Sequence, residues 1–505
     1  MRKPPNQTRD LYAVEFTEID AEELDEDPWI LTGPKERKLL QNIEERGVPL
    51  SERSEAISEG IVSGDNDILF VELLEVGEDL TKVRTQVDDE ERLLESEIVH
   101  PLAMGDEINR YTTPSAGMGV IYPYQESADG TTPIPEDVLE EKYPRSYTYL
   151  DEYRERLSSR GSESMNYPMW YSLWCPREKS LFESKKLLTP DICQYPKFTI
   201  DEEGAHYFAD TIYGLVPENN TESERKFLLA LLNSKLTWFY VYYTSPILRG
   251  DFRRFKTSYL EKVPIVPEQP SHGENDGESV DKLVENNPAE ALAQLGDKLT
   301  VLTDRRRSLN LALLDYLGNY TEGPKLPDLG LFQPTSSNIL DATAEDYENL
   351  QIESVKTERD GRRVTVYATA RYKPEDEDEY ETDQWGYTET DYREAFTLAD
   401  LSEQEAALVK AFVPVTVEKG NGFADFRDNA TKKNSLIDRL KNITLPDPDN
   451  VSDDIQRYIE VKQRAEELDG KIEKTDQLID DIVYDLYDLT EDEIEIVEEA
   501  VNHDY

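Results

Sequence analysis

The stretch that decides the fold runs from Lys185 to Val266. It opens with KKLLTPDI (Lys185–Ile192) and closes with LRGDFRRFKTSYLEKVPIV (Leu248–Val266). Between them lie FTIDEEGAHYFADTIYGL (Phe198–Leu215), with its paired aromatics, and the helix-like LLALLNSKLTWFYVYYTS (Leu228–Ser245). Strand-like runs beside an apolar helix predict a mixed α+β domain with a core of its own.

The same stretch is an island of near-neutral charge in an acidic chain. Residues 175–262 contain 13 Lys and Arg against 12 Asp and Glu, a net charge of +1 over 88 residues. The whole chain contains 55 against 108, a net charge of −53, so the other 417 residues carry −54. An anionic ligand would meet the least repulsion at the island.

Length and composition indicate several folded domains with an acidic coat. A chain of 505 residues predicts two to four domains, because single cores rarely grow past about 250–300 residues. The hydrophobic fraction is 37%, but 14 Phe, 29 Tyr and 5 Trp are more than a disordered chain contains. The acid is therefore interpreted as solvated surface.

Such acidity normally excludes nucleic-acid binding, which uses basic faces. Molar salt reverses this inference, because it reduces the Debye length to about 3 Å and weakens binding through counterion release. A DNA reader in that setting depends on base contacts, stacking and a local basic lining. The composition fits a halophile that keeps salt in its cytoplasm, with an archaeal source as the hypothesis.

Cysteine, histidine and apolar content exclude other classes. Cys175 and Cys193 are the two cysteines, and the four histidines are scattered, so neither a disulfide framework nor a zinc site is expected. The N-terminal MRKPPNQTRD lacks the apolar core of a signal peptide. No run approaches the roughly 20 apolar residues of a membrane span. We expect a cytoplasmic protein without membrane contact.

One segment has the composition of a nucleic-acid groove. Its cations are Arg249, Arg253, Arg254, Lys256 and Lys262, interleaved with Phe252, Phe255 and Tyr259. Guanidinium groups bind guanine edges and phosphates, aromatic rings stack on bases, and the hydroxyls of Thr257 and Ser258 can donate to phosphate. Composition alone leaves open the alternative of an amphipathic surface over an aromatic core.

These motifs resemble a known family. In order, KKLLTPDI, FTIDEEGAHYFADTIYGLVP and KFLLALLNSKLTWFYVYYTSPILRGDFRRFKTSYLEKVPIV resemble the TaqI-like C-terminal specificity domain. That domain occurs in adenine-specific DNA methyltransferases and in single-chain restriction–modification and phage-exclusion enzymes. Upstream, Glu55–Glu72, Glu97–Tyr111 and Tyr167–Pro176 resemble the recognition region of the same enzymes, and Leu478–Glu499 is similar to their C-terminal helix.

The resemblance implies a site that reads double-stranded DNA. Arg249, Arg253, Arg254 and Lys256 are expected to contact the duplex, with Thr257 bound to phosphate. Phe252, Phe255 and Tyr259 are expected to shape the groove. Lys185 and Thr189 add predicted phosphate contacts, and Arg110 with Tyr111 are predicted to line the upstream wall.

The catalytic motifs of the family are missing from this sequence. The N6-adenine enzymes use an Asn-Pro-Pro-aromatic tetrapeptide to hold the flipped adenine. Asn287-Pro288-Ala289 and Asp27-Pro28-Trp29 both lack the second proline. Gly117-Met118-Gly119 alone does not indicate a site for S-adenosylmethionine. We therefore expect no catalytic residue and no cofactor in this chain, and a methyltransferase subunit that binds S-adenosylmethionine.

A nuclease motif is only fragmentary. Asp447 with Glu460 and Lys462 has the spacing of a metal-dependent nuclease. Glu460 and Lys462 fall in a predicted helix, which points them to different sides, so no metal site is expected. Arg305-Arg306-Arg307 on a helix face is interpreted as solvated surface.

The predicted domain limits follow composition. Residues 1–28 are a tail or junction, 29–267 the target-recognition domain, 268–330 a linker with a first spacer helix, 331–450 an α+β insertion, and 451–505 a second spacer helix with a C-terminal helix. The linker is EQPSHGENDGES (Glu268–Ser279), and EDEDEYE (Glu375–Glu381) is an exposed acidic loop.

Two heptad patterns predict the spacer helices. The first comprises Leu292, Leu295, Leu299, Leu302, Arg306, Leu309, Leu313 and Tyr316. The second comprises Leu468, Ile472, Thr475, Ile479, Ile482, Leu486 and Leu489. The sequence leaves two arrangements open: an antiparallel coiled-coil arm, or helices that each pack on their own domain.

Local patterns predict four further elements. Gly64-Asp65-Asn66 within Ile61–Val76 predicts a turn followed by a strand, and a helix is predicted across Leu150–Leu157. Val355–Tyr372 predicts a hairpin turning at Asp360-Gly361. Thr490 with Glu493 forms a capping box that starts a last short helix.

Three functions are consistent with these features. The first is a DNA-binding specificity polypeptide that serves a separate N6-adenine methyltransferase, with or without a nuclease, in restriction–modification or phage defence. The second is an inactive C-terminal remnant of a full-length restriction–modification enzyme. The third is an acidic DNA mimic or protein-interaction module, which the near-neutral island argues against.

Overall fold

The computed structural model describes residues 32–114, 117–128, 130–161, 167–250, 252–268, 284, 286–374, 380–419 and 433–501. The predicted tail over 1–28, nearly all of the linker over 268–279 and most of the acidic loop over 375–381 lie outside the described residues. The chain divides into two compact units, Met1–Arg305 with Gly470–Tyr505, and Arg306–Asp469. Both units contain helices and sheets, so the predicted α+β class is confirmed.

The first unit alternates short strands with short helices. Its strands are β1 (Val48–Pro49), β2 (Ser54–Glu59), β3 (Phe70–Glu75), β4 (Leu80–Thr85), β5 (Glu91–Glu95), β6 (Val99–Ala103), β7 (Met118–Ile121), β8 (Tyr124–Ser127), β9 (Gly130–Pro133), β10 (Lys186–Pro190), β11 (Ile192–Cys193), β12 (Thr199–Asp201), β13 (Tyr207–Phe208), β14 (Ile212–Pro217), β15 (Arg253–Arg254) and β16 (Pro264–Ile265). Its helices up to the boundary are α1 (Pro34–Arg46), α2 (Asn66–Leu69), α3 (Glu136–Lys142), α4 (Pro144–Glu152), α5 (Arg154–Ser158), α6 (Lys179–Glu183), α7 (Glu222–Leu232), α8 (Lys235–Thr244), α9 (Thr257–Leu260) and α10 (Pro288–Arg307).

The second unit contains one larger sheet and its covering helices. In chain order its elements are α11 (Leu313–Leu317), β17 (Glu322–Lys325), β18 (Leu331–Pro334), β19 (Glu348–Asp360), β20 (Arg363–Lys373), β21 (Thr388–Glu389), β22 (Arg393–Ala399), α12 (Glu403–Lys419), α13 (Leu436–Lys441) and β23 (Thr444–Pro446). Helix α14 (Pro448–Leu486) begins in the second unit and ends in the first, where α15 (Glu491–Val501) follows.

Two sheets form the centre of the first unit. The six-stranded sheet has the order β13-β6-β7-β3-β4-β5, antiparallel except for the parallel β13–β6 pair. The four-stranded sheet has the order β12-β10-β14-β2 and is antiparallel throughout. In its register Leu187 opposes both Ile200 and Leu215, so segments distant in sequence meet on one face.

The four-stranded sheet lies between two hydrophobic cores. Successive side chains of a strand point to opposite faces. Leu187 and Leu215 accordingly join the core built with α1, α7 and α8, whereas Leu188 and Val216 join the core of the six-stranded sheet. Burial on both faces explains why β10 and β14 read as apolar runs rather than alternating ones.

The predicted single helix over Leu228–Ser245 is two helices. Helix α7 ends at Leu232, and Asn233 caps it. The side-chain amide of Asn233 accepts a hydrogen bond from the backbone N–H of Phe198 and donates one to the carbonyl of Phe198, both at 2.9 Å. Ser234 then caps α8 by accepting from the N–H of Thr237 at 3.3 Å. Asn and Ser compete with helical backbone bonds in this way, which ends the first helix.

Both heptad patterns run past the helices that they predict. Helix α10 ends at Arg307, so Leu309 lies in a loop and Leu313 lies on the separate α11. Helix α14 ends at Leu486, before Leu489. Leu292 and Leu295 share the core of α7 and α8 with Ile479, which is packing on the domain itself. A coiled-coil arm stays a prediction.

The remaining local predictions can be compared with individual elements. The hairpin β19–β20 turns at Gly361 (φ +55°), and its predicted inward residues Val364, Val366, Ala368, Ala370 and Tyr372 are buried. The backbone N–H of Thr490 donates to Glu493 at 2.9 Å, as the capping box requires. Leu150–Leu157 is helical with a break at Tyr153, and Ile61–Val76 contains β3 preceded by the unpredicted α2.

Among the described residues, no helix combines the length and apolarity that a bilayer crossing requires. The long helix α14 carries charged residues throughout its 39 positions.

Candidate nucleic-acid interface

The predicted cationic segment forms a small ribbon at the end of the four-stranded sheet. Strand β11 pairs with β15, so that Ile192 opposes Arg254, and the N–H of Phe255 donates to the carbonyl of Asp191 at 2.7 Å. We call residues 191–193, 246–250 and 252–256 the basic ribbon. These residues contain four cations and one carboxylate, and Asp251, which follows Gly250 in the sequence, adds a second carboxylate, in a chain whose net charge is −53.

Arg253 lies inside the ribbon rather than on it. It is 1% exposed, and its Nε donates to the carbonyl of Tyr242 at 3.0 Å. Its guanidinium lies 4.2 Å from the centre of the Tyr242 ring. The buried guanidinium holds the ribbon against α8, and the DNA contact of Arg253 stays a prediction.

Arg254 is directed outward and is held by a carboxylate. One of its Nη atoms lies 3.2 Å from Asp191, and about a third of its side chain is exposed. Burial raises the pKa of Asp191, and the cations of Arg254 and Lys256 oppose that rise. Because the ion pair fixes the guanidinium and leaves part of it open to solvent, Arg254 remains available for a ligand.

The other predicted members of the ribbon divide between surface and core. Arg249 is exposed and Lys256 is half-buried, whereas Phe255 belongs to the hydrophobic core. Phe252 and Tyr259 are half-buried. Thr257 donates its hydroxyl to the carbonyl of Ile57 at 3.2 Å, which joins α9 to β2. The outward-facing cations are therefore Arg249, Arg254 and Lys256.

Gly250 supplies the turn of the ribbon. Its φ of +79° is in the left-handed region that favours glycine, and a Cβ there would meet only the ring of Phe252, at 3.6 Å. The N–H of Leu248 donates to the carbonyl of Phe252 at 2.8 Å across this turn. Gly250 thus forms a tight turn that has space at its α-carbon.

Lys185 and Thr189 do not join the ribbon. Lys185 is exposed and lies 3.9 Å from Glu202, at the opposite end of β10 from Ile192. Seven residues of extended strand separate the two by roughly 20 Å. Thr189 is 1% exposed within β10. Lys185 therefore lies at the surface away from the ribbon, and the side chain of Thr189 lies in the interior. Their phosphate contacts stay predictions.

Arg110 binds α14, and Tyr111 lies in the hydrophobic core beside it. Arg110 makes a bidentate ion pair with Asp476 on α14, at 2.8 and 3.0 Å, and donates to the carbonyl of Asn233 at 2.7 Å. Tyr111 is 3% exposed and adopts φ +55°. Little of either side chain is exposed, and the contacts of both lie within the folded unit. Their place on the upstream wall of a groove stays a prediction.

A cleft of about 670 Å³ opens beside the ribbon. Its lining includes Lys197, Thr211, the backbone of Gly105, and four acidic residues: Glu59, Asp106, Asp191 and Asp210. Ile192, 43% exposed, lies at its edge. Asp191, Ile192 and Lys197 were missed as site residues, although the PDI at the end of KKLLTPDI marks where strand β10 meets the ribbon.

The fragmentary catalytic motifs have structural roles. Asn287 accepts from the N–H of Glu290 at 3.1 Å and caps α10. Asp447 accepts from Asp449 at the start of α14, while Glu460 lies on that helix about 20 Å further along. The predicted helical placement of Glu460 and Lys462 is confirmed. In the described part of the chain, no group of three His, Cys, Asp or Glu could hold a metal ion.

The basic ribbon and strands β10, β12 and β14 fall within one recognisable segment. Residues 100–265 match the family model of the TaqI-like C-terminal specificity domain. The resemblance seen in the sequence is thereby confirmed for this segment, about a third of the chain. The matched segment contains every residue of the basic ribbon and begins inside β6 of the six-stranded sheet.

Several curated proteins are similar over a longer region. The type II methyltransferase M.BstVI of Geobacillus stearothermophilus is 25% identical over 268 residues, 52% of this chain and 42% of that protein. M.XhoI of Xanthomonas vasicola is 24% identical over 239 residues, 47% of this chain and 39% of that protein. M.PaeR7I of Pseudomonas aeruginosa is 25% identical over the same length. The chain thus spans about two-fifths of the length of these relatives.

A solved structure, the S subunit of a type I restriction–modification system from M. genitalium, aligns with 62% of this chain and 85% of its own. The TM-score is 0.31 and the sequence identity 9%, so the assignment of the specificity domain rests on the sequence match alone.

Proposed function

We propose that this chain is a cytoplasmic DNA target-recognition polypeptide of a restriction–modification or phage-defence system. It would hold double-stranded DNA for an N6-adenine methyltransferase whose catalytic domain and S-adenosylmethionine are on another chain. The observation that supports this most directly is the placement of Arg249, Arg254 and Lys256 on an outward-facing ribbon of the TaqI-like specificity domain.

The chemistry of the ribbon suits this role. A guanidinium can donate two parallel hydrogen bonds to O6 and N7 of guanine, which is the commonest specific contact in the major groove. Arg254, steadied by Asp191, is the residue that we propose for base reading. Arg249 and Lys256 at the flanks are proposed to bind phosphates and fix the register of the duplex.

The division of labour between two chains is a separate part of this proposal and has its own test. The relatives are named methyltransferases, and the similar region covers 42% of M.BstVI. The Asn-Pro-Pro-aromatic tetrapeptide does not occur in the 505 residues, and Asn287 has a capping role. Co-purification from the native host should recover a partner that carries the tetrapeptide, and the complex should transfer methyl groups from S-adenosylmethionine to DNA.

The direct test of DNA reading uses a paired set of charge variants. Immobilised full-length chain is incubated with duplexes from a randomised pool, and the retained duplexes are sequenced. Arg249→Ala with Arg254→Ala should abolish enrichment of a sequence motif. Lys462→Ala with Arg464→Ala removes the same charge from exposed positions on α14 and should leave the enrichment intact. Equal enrichment by both double variants contradicts the proposal.

We also propose a salt-rich setting, with an archaeal halophile as the source. At a net charge of −53, the folded chain is destabilised by its own repulsion unless salt screens it. The urea midpoint of the full chain should therefore rise by more than about 1 M between 0.1 and 2 M KCl. A midpoint that does not change over this range argues against a halophilic origin.

A further inference from the structure

Ile247 is the most exposed large apolar side chain among the described residues. It is 70% exposed, ahead of Val76 and Trp385 at 64% each. It lies on the basic ribbon, between the end of α8 and the turn at Gly250. Exposure of a large aliphatic side chain to water has a cost, which a ligand that covers it would remove.

The backbone holds Ile247 in a fixed position. Ile247 forms an antiparallel bridge with Arg253, whose guanidinium is buried against Tyr242. On one side of Ile247, Ser245 donates its hydroxyl to the carbonyl of Arg254 at 2.8 Å. On the other side, the N–H of Leu248 donates a hydrogen bond to the carbonyl of Phe252. The tip of the ribbon is therefore preorganised, and presenting the side chain costs no ordering on binding.

The surroundings of Ile247 distinguish between two kinds of ligand. The core of a protein interface is depleted of charged residues, whereas the exposed aliphatic side chains of the ribbon, Ile247 and Ile192, lie beside the cations Arg249 and Arg254. Alternation of an apolar tip with cations fits a stacked polyanion. Proteins that bend DNA insert isoleucine, leucine or phenylalanine between base pairs while adjacent cations bind the phosphates.

We propose that Ile247 is an apolar wedge that enters between two stacked base pairs of the bound duplex. The inference rests on the proposed DNA-reading function and adds an element of specificity to it. Steps that unstack at low cost, such as TA and CA/TG, are preferred at the wedge, so the chain selects sequence at a position where it makes no hydrogen bond to a base. Because apolar contact releases no counterions, this part of the affinity is retained in high salt.

The test compares one protein change with one DNA change. The probe is a 30-bp duplex enriched from the randomised pool by the wild-type full chain, with 2-aminopurine placed at each flexible step in turn. Wild type should raise 2-aminopurine fluorescence at one step, and Ile247→Ala should lose that rise and bind about tenfold more weakly. A duplex that carries an abasic site at this step is already unstacked, so wild type should gain affinity on it and Ile247→Ala should not.

Two further variants serve as controls. Val76→Ala changes another exposed aliphatic side chain, outside the ribbon, and should leave both readouts at the wild-type level. Ile247→Leu should keep the fluorescence rise. Ile247→Ala should show the same salt dependence of binding as wild type, since it removes no charge.

The outcomes separate the two proposals. If wild type enriches no duplex from the pool, the proposed function and the wedge both fail. If Ile247→Ala binds the enriched duplex with wild-type affinity and an unchanged fluorescence rise, the wedge is wrong and DNA reading stands. If that variant keeps the fluorescence rise but no longer co-purifies with the methyltransferase, Ile247 contacts protein, and the wedge is again overturned.

Discussion

The carboxylate of Asp480 on α14 accepts a hydrogen bond from the backbone N–H of Lys235, the first residue of α8, at 2.9 Å. The same carboxylate lies 3.9 Å from the ammonium of Lys235, which binds Glu498 more closely, at 2.7 Å. A buried carboxylate at the N-terminus of an apolar helix satisfies an unpaired N–H and complements the helix dipole. It also makes the docking of the C-terminal helices dependent on pH.

Burial raises the pKa of Asp480 to about 7, and the nearby carboxylate of Asp476 adds to the rise. In the unfolded chain an aspartate ionises near pH 4. Between these values the folded chain holds a proton that the unfolded chain has lost, so the contribution of Asp480 to stability falls as pH rises from about 4 to 7. Asp480→Asn should therefore stabilise the first unit at pH 8, on the order of 1–3 kcal/mol, and change little at pH 4.

Urea unfolding at pH 4, 6 and 8 measures this effect. Asp481→Asn provides the matched control, because Asp481 is exposed one residue further along the same helix and should leave the pH dependence as in wild type. If Asp480→Asn is less stable than wild type at pH 8, pairing of the ionised carboxylate with Lys235 outweighs the cost of its burial, and the prediction is wrong.

Arg110→Ala should lower the stability of the first unit without a specific effect on DNA. The variant leaves Asp476 with no bidentate partner, and both side chains are less than one-fifth exposed. Loss of one partner from a largely buried ion pair costs about 2–3 kcal/mol. The urea midpoint should fall accordingly, while the folded variant should retain the same duplexes as wild type. Loss of duplex enrichment with an unchanged midpoint would restore Arg110 to the DNA surface.

The sequence predicted the hairpin and the specificity domain well because both depend on local patterns. Alternating Val364 and Val366 indicate the pairing of β19 with β20 over a short separation, although the turn residues are Gly361-Arg362, one position past the predicted Asp360-Gly361. In the specificity domain, KKLLTPDI has an apolar run that a strand buried on both faces requires. Local apolar patterns and turn residues of this kind can be recognised in the sequence itself.

The outward or inward direction of each ribbon cation could not be read in the same way. Arg253 and Arg254 are adjacent, and alternation along a strand sends one inward and the other outward. Which one points inward depends on the pairing of β15 with β11, 60 residues earlier in the chain. The role of Arg110 likewise depends on Asp476, a contact that spans 366 positions.

Substitution of Arg253 and of Arg254 should differ in its effect on the free energy of unfolding and on duplex enrichment. Arg253→Ala removes a buried cation from the Tyr242 ring and leaves the carbonyl of Tyr242 without its donor, which should cost about 2–4 kcal/mol in unfolding free energy. Arg254→Ala breaks an ion pair whose side chains are 30% and 18% exposed, and should cost about 1 kcal/mol. Duplex enrichment should depend on Arg254 directly and on Arg253 only through folding. Similar destabilisation by both substitutions would contradict this division.

Lys186 and Asp201 form the most deeply buried ion pair among the described residues of segment 100–265. The two charged groups lie 2.7 Å apart, and both side chains are at most 2% exposed. Burial lowers the pKa of Lys186 and opposes ionisation of Asp201, but hydrogen bonds from His206 and Lys186 outweigh it and hold the pKa of Asp201 below its usual range. The backbone N–H groups of Gly204 and His206 also donate to Asp201, which shapes the turn before β13.

Lys186→Met should therefore cost about 3–5 kcal/mol at pH 7, because it leaves an uncompensated buried carboxylate. Without the cation of Lys186, burial favours the protonated form of Asp201, so the carboxylate takes up a proton as pH falls from 7 to 4 and the penalty should shrink. Adding Asp201→Asn to Lys186→Met should recover much of the stability at pH 7, since the amide keeps an acceptor for the turn without the charge. Urea unfolding of the single and double variants at pH 4 and 7 gives the four values required. Equal penalties at both pH values would show that lost packing of the Lys186 side chain, and not the charge on Asp201, determines the effect.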